Sequence, residues 1–369
     1  MKFSCDKYVL WEAVTAANKG VAVRSTNQAL EGILISASGD SVKLTGYDLS
    51  LGIECTFLAQ IIEPGDIVAP AKVMTEIVRT LPGDTLTVTA GEDNGINIVS
   101  GLAEYNIMGI SKEEFPELFK VEANLKFEIP QNVLKSMFRQ TAFAMAVNST
   151  KATQNGALFD IKDDMLNIVA VDGFRLSLRR ENIPSTGIND SFIIPGKTVH
   201  EILKLLGDEE HNIEIKTSKK HLSMQIGNII LVSRLLEGEF TNYKAVIPAE
   251  ASTSTLVNTK SFLESVERAS LLLNEKMRAP IRCMFEFDTI KITSKTSMGN
   301  VHDEISSVID GETLEIGFND RFMTEALRAT ESESVRLGMT TPLSPIVIRP
   351  ETGGKFVMLV LPVRLKAEY

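Results

Sequence analysis

Pro195-Gly196-Lys197-Thr198 has the ending of a phosphate-binding loop, in which glycine-rich backbone and a lysine cradle phosphoryl oxygens. The full pattern needs a glycine five residues before Gly196, and Ser191 stands there. The same slot reads Pro70-Ala71-Lys72-Val73 and Phe318-Asn319-Asp320-Arg321 elsewhere in the chain, so the segment reads as a helix start. His200-Glu201 has no second histidine at metalloprotease spacing. Asp160, Asp163 and Asp164 lack the glycine and closing glutamate of a calcium loop and read as a turn between strands. The four histidines (His200, His211, His221, His302) sit among polar residues and read as surface positions. Cys5, Cys55 and Cys283 are odd in number and scattered, which excludes a disulfide framework and a cysteine zinc site and fits a reducing compartment. No nucleophile, base and metal set converges, so the expectation is no enzyme, no catalytic residue, no metal and no cofactor.

A basic pattern remains. Lys72, Glu76 and Arg79 return as Lys197, Glu201 and Lys204, and again as Arg321, Glu325 and Arg328. The elements that carry them repeat too. Val73, Met74, Ile77, Val78 and Leu81 form an amphipathic helical stripe, matched 125 residues on by Thr198, Val199, Ile202, Leu203 and Leu206. After another 124 residues come Phe322, Met323, Ala326, Leu327 and Thr330. A second helix precedes each of these, with the stripe Val9, Leu10, Ala13, Val14, Ala17 matched at Val133, Leu134, Met137, Phe138, Thr141 and more weakly from Phe262. Asp48 and Asp172 stand 124 residues apart in the related segments TGYDLSL and AVDGFRLSL. Three repeats account for the 369 residues.

Between the helices run short alternating or β-rich segments punctuated by Gly, Asp and Asn. Two helices and about eight strands per repeat predict an α+β fold with the helices on one face of antiparallel sheet. Polar stretches set the domains at 1–124, 125–252 and 253–369. Helices are expected over 7–19, 71–81, 131–147, 196–206, 260–274 and 320–330. No apolar run is long enough to span a membrane, the N-terminal residues do not read as a secretory signal, and a cytoplasmic, nucleoid-associated protein is the expectation.

The net charge of −10 alone argues against a nucleic-acid binder. Its distribution argues the reverse. The six helical segments hold twelve Lys or Arg and seven acids, a balance of +5, which leaves −15 on the rest of the chain. A basic helical surface inside an acidic shell is therefore expected.

These repeats, the segment AVDGFRL at 170–176, GEFTNY at 238–243 and the terminal LPVRL at 361–365 resemble the bacterial sliding clamps, the DNA polymerase III beta subunits, over the whole chain. The resemblance implies a head-to-tail homodimeric ring around double-stranded DNA, held by topology and sequence-independent phosphate contacts. It also implies partners: the replicative polymerase, the clamp loader, other polymerases and mismatch-repair proteins. The channel residues it implies are Arg24, Lys72, Arg79, Lys135, Arg139, Lys197, Lys204, Arg268, Arg321 and Arg328.

Family clamps take a short peptide with Gln and apolar anchors in a pocket between the second and third domains. The matching positions are Val171, Gly173, Phe174, Arg175, Leu176 and Val246 from repeat two. Repeat three supplies Met277, Asn319, Phe322, Leu343, Pro345, Leu359, Val360, Leu361, Pro362, Val363 and Arg364. Val171, Phe174 and Met277 depart from the common family residues. The ring interface is implied at Tyr105 and Ile107 of one subunit against Leu271 and Leu272 of the other. A repeat scaffold that binds only proteins would explain the repeats but not the thrice-kept basic edge. A hydrolase built on the Asp160 cluster would explain neither.

Overall fold

The computed structural model describes residues 1–184, 187, 189–273 and 279–365. Among these lie seven α-helices: α1 (Lys7–Asn18), α2 (Ala71–Thr80), α3 (Gln131–Thr141), α4 (Gly196–Leu205), the one-turn α5 (Tyr243–Val246), α6 (Thr259–Ser270) and α7 (Asp320–Ala329). The strands are antiparallel to their neighbours throughout. The α+β expectation holds. Two helix ends differ from expectation by more than one residue. The apolar stripe carries to residue 147, but α3 stops at Thr141 and a 3-10 turn, Ala142–Ala144, follows. α6 stops at Ser270, short of the expected 274.

Helix starts are set by side chains that satisfy the otherwise orphaned first amides. Asp6 accepts from the amides of Tyr8 (2.7 Å) and Val9 (3.2 Å) ahead of α1. Asn258 caps α6 and Asn319 caps α7, through the amides of Ser261 and Phe322.

Contacts divide the chain into two compact units, Met1–Asn132 with Lys204–Leu235 and Val133–Leu203 with Leu236–Tyr369, so the middle repeat is shared between them. The first unit holds a five-stranded sheet in the order Gln60–Glu63, Lys2–Asp6, Thr85–Ala90, Gly95–Ser100, Ala103–Met108. Its eight-stranded sheet runs Leu125–Pro130, Asn212–Thr217, His221–Ile226, Ile229–Arg234, Leu51–Leu58, Ser41–Tyr47, Gly32–Ser38, Gly65–Pro70. Here a strand of repeat one pairs directly with one of repeat two, Ile53 opposite Leu231. α1 and α2 bury Leu10, Val14, Met74 and Val78 against Ile33, Ile35 and Leu44 of this sheet. Gly46 permits the close approach: a Cβ there would lie 2.0 Å from the Ala17 carbonyl oxygen.

The second unit holds a nine-stranded sheet in the order Asp190–Pro195, Gly156–Lys162, Met165–Val171, Arg175–Asn182, Phe356–Val360, Ile346–Pro350, Ser334–Met339, Thr253–Asn258, Ile309–Gly311. Repeat two joins repeat three through Leu176 opposite Leu359. A four-stranded sheet completes the unit: Gly299–Ser306, Thr289–Thr296, Ile281–Glu286, Leu314–Phe318. The nine-stranded sheet buries both faces, and alternation along the strands sorts the residues. One face packs Ile348, Met358 and Val360 with Phe262 of α6 and Met323 and Leu327 of α7. The other packs Val169, Val171, Leu176, Leu178, Val357 and Leu359 with Tyr243 of α5.

Candidate functional site

Three residues, Asp172-Gly173-Phe174, turn the strand Met165–Val171 into Arg175–Asn182. Asp172 Oδ1 accepts from the amides of Phe174 (2.9 Å) and Arg175 (3.0 Å), and Gly173 takes φ = 89°, in the left-handed region glycine tolerates. The turn presents Phe174 to solvent, 61% exposed, with its ring stacked on Phe322 at 5.8 Å and 23°. It sends Arg175 the other way, to the helix-facing side of the sheet, where the residue is only 7% exposed. There Arg175 Nε bonds Asp172 Oδ2 at 2.9 Å and a terminal nitrogen bonds Glu325 of α7. The guanidinium lies 4.6 Å from the ring centre of Phe322 and 5.3 Å from that of Phe143. A cation held over two rings with two carboxylates engaged by different nitrogens suits the delocalised, forked guanidinium of arginine and would not suit lysine.

The chain end closes over this turn. Leu361 N donates to the Phe174 carbonyl (2.8 Å), Pro362 bridges Phe318, and Val363 N donates to Gly317 (2.8 Å). The expected pocket residues therefore fall into groups. Val171, Leu176 and Leu359 are buried together on the sheet face away from α6 and α7. Val360 is buried on the opposite face. Phe174, Phe322, Leu361, Pro362 and Val363 gather at the strand ends, and Asn319 acts there as the helix cap. Val246 and Leu343 are exposed apolar side chains, Pro345 is half-buried and Arg364 is exposed. Met277 lies outside the described residues.

Arg24, Lys72 and Arg79 are exposed in the first unit, Arg24 in the loop after α1 and the others on α2. Arg139, Lys197, Lys204, Arg268, Arg321 and Arg328 are exposed on their helices, and Lys135 is half-buried. Several already hold carboxylates: Arg79 with Glu76 (2.6 Å), Arg268 with Asp303 (2.6 Å), Arg321 with Glu325 (2.8 Å) and Arg328 with Glu267 (2.7 Å). These exposed pairs are weak, and an incoming phosphate can replace the carboxylate. A cavity of about 320 Å³ brings Arg139 of α3 and Arg328 of α7 to one rim, with Phe143 and Glu325 in its wall.

Tyr105 and Ile107 lie on Ala103–Met108, an edge strand of the five-stranded sheet. Leu271 is 78% exposed after α6, and Leu272 sits beside Gly299 at the start of the edge strand Gly299–Ser306. Both strands present unpaired backbone edges.

Asp160 accepts from Tyr243 Oη and pairs with Lys244, while Asp163 takes a turn conformation at φ = 55°. Among the described residues no cluster of His, Cys, Asp or Glu could hold a metal. One histidine departs from expectation: His221 is half-buried, stacked on Phe119 at 4.2 Å. Burial, with Arg234 and Lys220 nearby, holds its pKa below the ordinary value. Sequence reasoning missed Phe143 and the roles of Asp172 and Glu325 in holding Arg175. The recurrence of the aspartate at 48 and 172, and of the glutamate at 76, 201 and 325, was the available signal.

Three family models match in succession: the DNA polymerase III beta subunit N-terminal domain at 1–119, the central domain at 128–242 and the C-terminal domain at 244–364. The beta sliding clamp of Bacillus subtilis is 33% identical over 377 residues, spanning 99% of this chain and 100% of that protein. That of Halalkalibacterium halodurans is also 33% identical, with the same coverage. The crystal structure of the Bacillus subtilis DNA polymerase sliding clamp superposes with a TM-score of 0.96 at 32% identity, over 99% of this chain and 100% of that one. A putative DNA polymerase III beta subunit from Eubacterium rectale gives 0.94 at 33% identity, over 98% and 99%.

Proposed function

The chain belongs to the DNA polymerase III beta subunit family, the sliding clamps, and we propose how its residues serve that work. It is a processivity clamp of DNA replication. The observation that carries this is the succession of three clamp domains along one chain. Two copies meet through the edge strands Ala103–Met108 and Gly299–Ser306, so that backbone groups left unpaired in one chain are paired in the ring. Tyr105, Ile107, Leu271 and Leu272 supply the apolar part of that contact.

The exposed cations of the six long helices face the duplex. Phosphate contacts carry no base information, so the clamp holds DNA without choosing a sequence and moves along it. Retention comes from topology, and no bond in the DNA is made or broken. Partner proteins, the replicative polymerase, the clamp loader and repair proteins among them, dock by short apolar peptides on the surface that carries Phe174, Phe322, Val246 and Leu343, beside the buried Leu176 and Leu359. The buried, doubly paired Arg175 fixes the Phe322 wall of that surface.

The test is retention after loading. The clamp is expected to stay on a nicked circular DNA and to run off once the circle is cut to a linear form. Equal loss from both would overturn the ring.

A further inference from the structure

A second recess lies on the sheet face that carries Leu176. It has a volume of about 600 Å³ and is rimmed by Lys162, Arg180, Lys244 and Arg349, with Asp163 the single acid in its lining. Its floor is apolar, from Leu178 to Ile247, and Tyr243 forms one wall. Four cations converge here in a chain whose net charge is −10, on the face away from α6 and α7.

The cations are poorly compensated. Lys244 pairs with Asp160 at 3.1 Å, an aspartate that also accepts from Tyr243. Arg349 donates to the Pro248 carbonyl at 3.1 Å. Among the described residues, neither Arg180 nor Lys162 has a carboxylate at ion-pair distance, and Arg180 Nε is buried without any acceptor. A buried guanidinium N–H left unsatisfied is unfavourable, and an incoming carboxylate would satisfy it with a charge-assisted hydrogen bond. Ordinary surface lysines and arginines, spread for solubility, would neither converge on one recess nor bury a donor.

The recess and the docking residues share one strand and one short helix. Leu176, Leu178 and Arg180 follow one another on the same face of the strand Arg175–Asn182. Residues on one face of a strand repeat every ~6.6 Å, so Leu176 and Arg180 stand ~13 Å apart, the reach of about four extended peptide residues. α5 joins the two sites: Tyr243 walls the recess, and one turn later Val246 is an exposed apolar side chain. We propose that this recess is a subsite for acidic residues that flank the apolar anchors of a docked partner peptide, Asp or Glu placed about four residues from them. Charge then sorts partners that share the same anchors, and it hastens their encounter with the clamp. The inference rests on the peptide-docking reading above.

Fluorescence anisotropy with synthetic peptides tests both. The base peptide carries Gln and apolar anchors with neutral flanks. Its variants carry two aspartates, or two lysines, four residues to either side. At low salt one aspartate variant is expected to bind about 5-fold tighter than the neutral peptide and the lysine variants weaker, a difference that fades by about 0.5 M salt. Lys162→Glu, at an exposed position, should abolish the acidic advantage and leave the neutral peptide's affinity unchanged; Arg180→Gln should do the same. Equal binding of acidic and neutral peptides at low salt would overturn the subsite while leaving docking intact. Failure of every peptide to bind would overturn docking and the subsite with it. A single-stranded oligonucleotide whose binding Lys162→Glu weakens, while the acidic advantage stays intact, would reassign the recess to nucleic acid.

Discussion

Glu325 of α7 forms an ion pair with Arg175 across the helix-facing side of the nine-stranded sheet, and its other carboxylate oxygen holds Arg321. One carboxylate thus links the turn beneath Phe174 to a cation expected to face DNA. Removing Arg175 leaves Asp172 without its cation and Glu325 with only the exposed Arg321, and opens space between Phe143 and Phe322. Arg175→Ala is expected to lower stability in urea unfolding by about 3 kcal/mol, the usual scale for one lost partner of a buried pair. It should also weaken a docked peptide by about tenfold, because Phe322 loses its support, while the solution mass stays that of a dimer. Unchanged peptide affinity would remove Arg175 from the docking surface.

Acid should loosen this link and one other. Burial raises the Glu325 pKa, but the hydrogen bonds and charges of Arg321 and Arg175 outweigh it and hold the carboxyl below its ordinary 4.5. Burial likewise opposes ionisation of Asp303, and Ser265 and Arg268 outweigh it, so its carboxyl lies below 3.8. A depressed folded pKa gives stability that is present above the unfolded value and is lost as pH falls through the folded one. The midpoint of thermal unfolding should therefore decline below about pH 4.5, and Glu325→Gln should flatten the upper part of that decline. An identical profile for the variant would show the pair to be energetically silent.

Lys72 is exposed on α2. Lys72→Ala is expected to weaken DNA binding equally for unrelated sequences. The slope of log affinity against log salt should become shallower by about 0.9 for a lost duplex contact. An unchanged slope would take Lys72 out of the channel.

Leu271 is the test of ring closure, since it is 78% exposed in the single chain. Leu271→Asp should halve the solution mass at micromolar concentration. The stability of the chain itself should stay within about 0.5 kcal/mol, as for other surface changes. A dimer of undiminished mass would place the interface elsewhere.

The three thiols should be silent in the native protein. All are buried and free. Burial, with Asp6 adding to it, pushes Cys5 up to about 12, and burial, with Glu12 adding to it, pushes Cys55 up to about 11. Complete burial also raises Cys283. Since the thiolate is the reactive form, a disulfide reagent at pH 8 should modify none of them until denaturant is added. Rapid modification of one thiol in the folded chain would contradict this burial.

The helices were legible because a 3.6-residue stripe is a local property. Val73 to Leu81 and Phe322 to Thr330 announce themselves without reference to the rest of the chain. α3 misled for the same reason. Ala142 to Val147 continue its stripe, but Phe143 is used against Arg175 and the helix gives way to a tighter turn. The pairings of Ile53 with Leu231 and of Leu176 with Leu359 were not legible. They join strands some 180 residues apart in sequence, and no local period encodes which edge meets which. In the site, Arg175 was readable as part of a signature, whereas its partners were not. Glu325 stands 150 residues away, on a helix whose glutamate matches a surface position in the other repeats.

Asp48 makes the same turn as Asp172, accepting from the amides of Ser50 and Leu51 at 2.8 and 2.7 Å, with Leu49 at φ = 72° where Gly173 stands at 89°. A leucine bears that conformation at a cost that glycine avoids. Leu51, buried, takes the position of Arg175. The two repeats thus share one backbone turn and differ in the side chains it carries. For protein engineering this leaves a frame already in place: Leu49→Gly with Leu51→Arg would be the first two steps in giving the first turn the side chains of the second.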